Sequence, residues 1–340
     1  MSDLEVFLDD TPGETRGVMV RNGRFERLLI QRDREPIAVR LGSRSVGRVV
    51  EINPGLGAAF LDLGAGSPAF LPLPKGQQLA VGQKLDVIVV SEPRGTKGAT
   101  LRLLGEGQGE PRLLQPGPDV ATQLAALAPD AGLQTGLAAI RAGMEAAEEA
   151  LSSRFLLSDL GLDLSVERTR AMITVDIDHD GTAGRKGRDR ANLEGLRQAA
   201  RLIRLKSWGG LVAIDLVGSV HDAKTIGAAA RGAFGADPQI VYGPLNRFGV
   251  MQLAMPWRER PVSSSLLPDD TASGAETSAI ALVREARATL LSNTTVPRYR
   301  VTCGTAEAAF AKAWLDQLGP RVGVVVDPAL RAGEGSIQEG

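Results

Sequence analysis

Between Ala171 and Val217 the sequence changes period twice, and that constrains the fold more than any other feature. Ala171-Met-Ile-Thr-Val-Asp-Ile is a compact β-type run, Arg190 to Ser207 repeats its apolar residues at helical spacing, and Leu211-Val-Ala-Ile-Asp-Leu-Val resumes a strand after Gly209-Gly210. A strand, a crossover helix and a second strand form a βαβ unit, whose strands run parallel with a right-handed crossover. Asp176 closes the first run and Asp215 the second. Both carboxylates are therefore expected at the carboxyl edge of one sheet, where open α/β sheets bind ligands.

Asp178 and Asp180 are expected on the loop after Asp176, close to Asp215. Carboxylates crowded beside Val and Ile residues cost free energy unless a cation balances them. The chain has only His179, His221 and Cys303 to offer as nitrogen or sulfur ligands, so a zinc cage is not expected. Oxygen ligands favour a hard cation, magnesium first and manganese as the alternative. The competing reading of either aspartate is an ordinary cap or turn residue. His179 and His221 are not expected to act as bases.

After Asp180 come Gly181, Gly184 and Gly187 interleaved with Arg185, Lys186, Arg188 and Arg190. The following helix carries Arg190, Arg197, Arg201 and Arg204 at spacings of seven, four and three, which sets them near one face, with Leu193, Leu196, Ala200 and Ile203 on another. From Arg185 to Lys206 there are eight basic residues and two acids, Asp189 and Glu194. A solvated helix face explains most charge runs, but this one adjoins a carboxylate cluster and suits a polyanion, bound in a salt-sensitive way. Neither Gly-x-Gly-x-x-Gly nor a Walker A sequence is present, which weakens nucleotide-binding readings.

The rest of the chain reads as multidomain α+β. Residues 1–104 hold short strands punctuated by Asn22-Gly23, Asn53-Pro54-Gly55 and Gly64-Ala65-Gly66, including Ile37-Ala-Val-Arg-Leu, and suggest a small β-barrel or sandwich. Phe60 and Phe70 could stack bases there, with Lys97 supplying charge, or could fill the core. Residues 105–134 read as a linker with a short helix, 135–262 as an α/β module, 263–276 as a second linker and 277–340 as a small α+β domain whose last dozen residues fray. The apolar runs are short, Val87 to Val90 and Val322 to Val326 among them, and the acidic amino terminus does not resemble a signal peptide, so a cytoplasmic protein off the membrane is expected. A net charge of −1 hides clustered cations: 32 Arg against 7 Lys.

Taken in order, several segments resemble the bacterial ribonuclease E/G family. Val46-Gly-Arg-Val-Val-Glu-Ile-Asn-Pro-Gly-Leu-Gly-Ala-Ala-Phe-Leu-Asp-Leu-Gly with Ala69-Phe-Leu-Pro-Leu is similar to its RNA-binding barrel. Thr174-Val-Asp-Ile-Asp, Ala191-Asn-Leu-Glu, Leu205-Lys-Ser-Trp-Gly-Gly-Leu-Val-Ala-Ile-Asp and Asn246-Arg-Phe-Gly resemble its later signatures. The resemblance implies an N-terminal OB-type β-barrel, a central α/β DNase-I-like catalytic module and a small C-terminal α+β domain. It also implies that Asp176 and Asp215 are magnesium-binding catalytic residues, that Phe60, Phe70 and Lys97 contact RNA, and that single-stranded, A/U-rich RNA is hydrolysed to leave a 5′-phosphate downstream. Arg247, within the last signature, joins the expected RNA contacts.

The departures from the family pattern are specific. Position 178 is Asp where the family usually has Asn, which adds charge beside the expected metal. The region between Gly105 and Leu156 is too short for the family's 5′-sensing segment, the zinc-link cysteines are absent, and Met255-Pro-Trp-Arg-Glu-Arg replaces a more regular basic segment. Zinc-linked oligomers are not expected, while other oligomers remain open. The leading expectation is a magnesium-dependent endoribonuclease with Asp176, Asp215 and Asp178 around the metal. Its rivals are an RNA-binding relative that no longer cuts and a phosphoesterase for small substrates.

Overall fold

Every second residue of the strand Ile173–His179 is buried: Ile173, Val175 and Ile177 face inward, while Asp176 and Asp178 face solvent. This alternation belongs to a sheet covered by helices on one side and open on the other. The computed structural model describes residues 3–74, 76–179, 185–218, 222–267 and 271–340. Asp180, Gly181, Gly184 and His221 lie outside the described residues. The chain divides into two compact units, one of Met1–Arg24, Leu28–Ala147 and Arg260–Gly340, the other of Phe25–Arg27 and Glu148–Glu259. Its architecture is mixed α+β with several sheets.

The second unit is built on a six-stranded sheet in the order Arg154–Leu157, Leu162–Arg168, Ile173–His179, Gly210–Asp215, Val250–Met255, Val241–Tyr242. Ile173–His179 and Gly210–Asp215 pair in parallel and the helix Arg185–Leu205 crosses between them, as the periodicity requires. All other pairings in this sheet are antiparallel. The helix lies close to the sheet because position 195 is glycine: a Cβ there would meet Ile177 Cγ2 at 2.6 Å and Cδ1 at 2.7 Å. A second helix, Ala223–Phe234, starts at Asp222, whose Oδ1 accepts from Lys224 N at 3.1 Å.

One expected boundary moves. Asp176 does not end its strand, which continues to His179 because Leu162–Arg168 pairs antiparallel along its full length, matching Asp163 to Asp178 and Leu162 to His179. Asp178 is thus a strand residue on the open face, not a loop residue.

In the first unit, Arg44–Asn53, Ala58–Asp62, Ala69–Pro72, Thr100–Glu106 and Lys84–Ser91 pair successively, and the last returns to the first, closing a five-stranded ring. Val49, Ala59, Leu61, Ala69, Leu71, Leu85, Val87, Val89 and Leu101 fill it. Strands Leu4–Asp9, Glu14–Arg21 and Arg24–Arg32 form a separate sheet, to which Leu133–Gln134 adds in parallel. The strand expected over Ile37–Leu41 is a 3₁₀ turn, Ile37–Val39, following Pro36, which lacks an N–H for a ladder. Residues 105–134, read as a linker with a short helix, carry the strand Arg112–Gln115 against the ring and the helix Val120–Leu127, whose Val120 and Leu124 are buried with Val6, Met19 and Leu29.

A buried ion network joins the first sheet to the helix Thr271–Ser292. Glu14 accepts from Arg16 Nε at 2.7 Å and Arg32 Nε at 2.8 Å, and Arg284 Nε donates to Asp9 at 2.7 Å. At the C-terminal end, Tyr299–Cys303 pairs in parallel with Val322–Val326. Ser336–Glu339 pairs antiparallel on its other side, so the tail expected to fray contributes a strand. Val301 and Ile337 pair across it and are both packed in the local core, which gives the tail a reason to order.

Candidate functional site

Asp176 and Asp215 are in-register partners on adjacent parallel strands, and both are exposed on the open face. Neighbouring strands lie about 4.8 Å apart, so paired side chains on one face are within reach of one ion. Burial raises the Asp176 carboxyl above its ordinary value, and the negative charges of Asp215, Asp178 and Asp163 raise it further. A cation placed between these carboxylates would relieve that repulsion. Asp163 is already engaged by Arg154, whose Nε donates to it at 3.0 Å. Asp178 Oδ1 accepts from His179 N at 2.7 Å.

Among the described residues, no three of His, Cys, Asp and Glu converge as a metal-holding group. Asp176, Asp178 and Asp215 share the open face of the sheet, with Asp176 and Asp215 as register partners and Asp178 two residues further along the same strand as Asp176. A pair suits magnesium, which commonly keeps several waters and takes only one or two carboxylates from the protein.

The loop after Asp215 is fastened to the crossover helix by a side chain from the Ala191-Asn-Leu-Glu stretch. Asn192, buried in the helix Arg185–Leu205, donates its amide to Val217 O at 3.1 Å and accepts from Val217 N at 2.8 Å. An amide on the sheet-facing side of an amphipathic helix was the available signal, because a buried amide needs partners. Arg188 lies over the same loop, with Cδ and Nε each 3.6 Å from where a Cβ on Gly218 would stand.

The cationic face of this helix divides. Arg188, Arg190 and Arg197 are exposed, and Arg197 pairs with Glu194 at 2.8 Å. The side chains of Arg185 and Lys186 lie outside the described set. Arg201 and Arg204, expected on an RNA-facing surface, are turned to structural partners. Arg201 is 3% exposed and donates to Phe25 O at 2.7 Å, Glu149 at 2.6 Å and Gln198 at 2.7 Å. Arg204 donates to Ala233 O and Glu26, each at 2.9 Å. The C-terminal half of the helix is buried on more than one side, so a charged group there must find its partners inside the protein.

Lys206 was likewise hidden from periodicity. It is 2% exposed, donates to Ala150 O at 2.7 Å and sits 4.9 Å from the Trp208 ring and 5.3 Å from the Phe155 ring. Burial pushes its ammonium down to about 8, against the pull of Glu149 and with a smaller push from Arg201.

On the five-stranded ring, Phe60 and Phe70 are cross-strand partners with ring centroids 5.8 Å apart at 70°. Their neighbours Ala59, Leu61, Ala69 and Leu71 are the buried ones, so the two rings lie on the outer surface instead of filling the core. Lys97 is exposed in a turn closed by hydrogen bonds with Arg94 at 2.9 and 3.0 Å. The strand after it pairs Thr100 with Phe70. Arg247, in the second unit, lies 4.9 Å over the Phe248 ring.

Residues 138–257, which include Asp176, Asn192, Lys206, Asp215 and Arg247, match the model of the Ribonuclease E/G family. This segment is similar to the ribonuclease E/G family. Ribonuclease G of Haemophilus influenzae is 33% identical over 122 residues, 30% of this chain and 24% of that protein. Ribonuclease G of Escherichia coli K12 is 33% identical over 118 residues, 28% of this chain and 24% of that protein. The match thus spans about a quarter of the length of these curated relatives. The matched segment contains all six strands of the sheet, from Arg154 to Met255, and both aspartates of the open face.

Proposed function

We propose that this chain is a magnesium-dependent endoribonuclease that cuts single-stranded RNA in the cytoplasm. The observation that carries the reading is the in-register pairing of Asp176 and Asp215 on the open face of a family-matched sheet. Asp176 and Asp215 hold the ion, and Asp178 adds charge beside it. When bound, magnesium, or manganese in its place, polarises a phosphate oxygen and lowers the pKa of the attacking water. Asn192 keeps the Asp215 loop in position through Val217. Arg188, Arg190, Arg197 and Arg247 neutralise the RNA backbone. Water adds to phosphorus as the bond to the 3′-oxygen breaks, the 3′-oxygen takes up a proton, and the downstream product keeps its 5′-phosphate.

The five-stranded ring supports an OB-type role, in which Phe60 and Phe70 stack bases and Lys97 meets the backbone. The helix-backed sheet is read correspondingly as a DNase-I-like module. Any oligomer would form without a zinc link.

The test is cleavage of a labelled A/U-rich single strand with magnesium, with EDTA and with Asp215→Asn. Magnesium-dependent cutting that the substitution abolishes supports the enzyme. Salt-sensitive binding with no cutting identifies a non-catalytic RNA-binding relative.

A further inference from the structure

Phe248 is 72% exposed, an unusual state for a phenylalanine in a turn otherwise made of Asn246, Arg247 and Gly249. The turn is held firmly. Asn246 Oδ1 accepts from Phe248 N and from Val250 N, each at 2.9 Å, while Asn246 N donates to Val250 O at 3.1 Å. Gly249 completes it at φ 85°, a conformation that favours glycine. The strand that follows begins at Val250, the register partner of Asp215. An aromatic ring is therefore displayed two residues from the strand position that pairs with a candidate catalytic carboxylate.

The ring is not idle hydrophobic surface. The Arg247 guanidinium lies 4.9 Å from its centroid, a cation–π contact that orients the ring and sets a positive charge beside it. A flat π surface with an adjoining cation matches a nucleotide, whose base stacks and whose phosphate is anionic. Bases in a duplex are already stacked on one another, so this surface selects an unpaired base.

We infer that Phe248 is a base-stacking platform, seating the nucleotide that adjoins the scissile phosphate and so helping to choose where single-stranded RNA is cut. The inference rests on the nuclease reading for the word scissile, but the stacking itself does not.

Two measurements on the full chain separate these parts. In the first, a fluorescein-labelled single-stranded oligoribonucleotide is bound in EDTA by the Asp215→Asn protein, alone or with Phe248→Ala or Phe248→Trp. Phe248→Ala is expected to weaken binding roughly ten- to hundred-fold. Phe248→Trp should retain binding and add a fluorescence signal quenched by RNA. Equal affinity in all three proteins overturns the platform.

In the second, single abasic sites are walked along the substrate during magnesium-dependent cleavage. One abasic position beside the cut should slow the parent protein strongly and the Phe248→Ala protein little. The same abasic penalty in both proteins overturns the platform and leaves the nuclease reading standing. Phe248-dependent binding in a parent protein that never cuts overturns the nuclease reading and leaves the stacking surface.

Discussion

Lys206 offers a quantitative test of the packing within the second unit. Its ammonium is held in the interior by carbonyls and two aromatic rings, and burial lowers its pKa from 10.5 to about 8. Below about pH 8 the lysine is protonated in both folded and unfolded chains, and the fold bears the full cost of burying the charge. Between about 8 and 10.5 the unfolded chain holds a proton that the folded chain has released, so raising the pH favours folding. Above 10.5 both are neutral and the gain is complete. At about 1.4 kcal/mol per tenfold change in proton affinity, the gain is about 3 kcal/mol across that window. Urea unfolding followed by tryptophan fluorescence at pH 7.5, 9 and 10.5 should therefore show wild-type protein gaining on Lys206→Met as the pH rises. Other groups titrate in the same range, and the difference between the two proteins isolates this one. A constant difference would refute the claim that Lys206 is buried as a charge-bearing amine.

Glu14 makes the opposite prediction. Burial alone would raise its pKa, but Arg16, Arg284 and Arg32 outweigh it and bring the carboxyl down to about 2. Its stabilisation is present above about pH 4.5 and lost as the pH falls toward 2, and acid unfolding of Glu14→Gln should lack that component. Arg201→Met removes one partner of a buried network and should cost about 3–5 kcal/mol by chemical unfolding while leaving salt-dependent RNA binding of the folded protein unchanged. Gly195→Val forces a side chain into Ile177 and should cost about 1–3 kcal/mol by the same measure. Phe60→Ala combined with Phe70→Ala should weaken binding of single-stranded RNA without altering the melting temperature by more than a few degrees, as expected for rings outside the core.

The βαβ crossover was legible because its period changes at Gly209-Gly210 and because apolar residues alternate along Ile173–His179. The sequence did not show that Leu162–Arg168 would extend that strand past Asp176, since antiparallel pairing depends on a partner whose register no local pattern announces. The arginine helix was misleading for a related reason. Its spacing correctly places Arg190, Arg197, Arg201 and Arg204 near one side, but spacing does not say where neighbouring segments cover that side. Phe25 and Glu26, far away in sequence, meet Arg201 and Arg204 and turn a presumed cationic face into interior. For Phe60 and Phe70 the decisive information was the burial of their immediate neighbours, which alternation on two paired strands supplies only once the register is known.

Manganese binding tests the central claim most directly, because the ion reports by its own electron paramagnetic resonance and needs no cleavage assay. Titration of the full chain, with a non-cleavable single-stranded oligonucleotide present, is predicted to show one tight site that magnesium displaces and that both Asp176→Asn and Asp215→Asn weaken at least tenfold. Manganese bound equally well by the parent and by both variants would contradict the account.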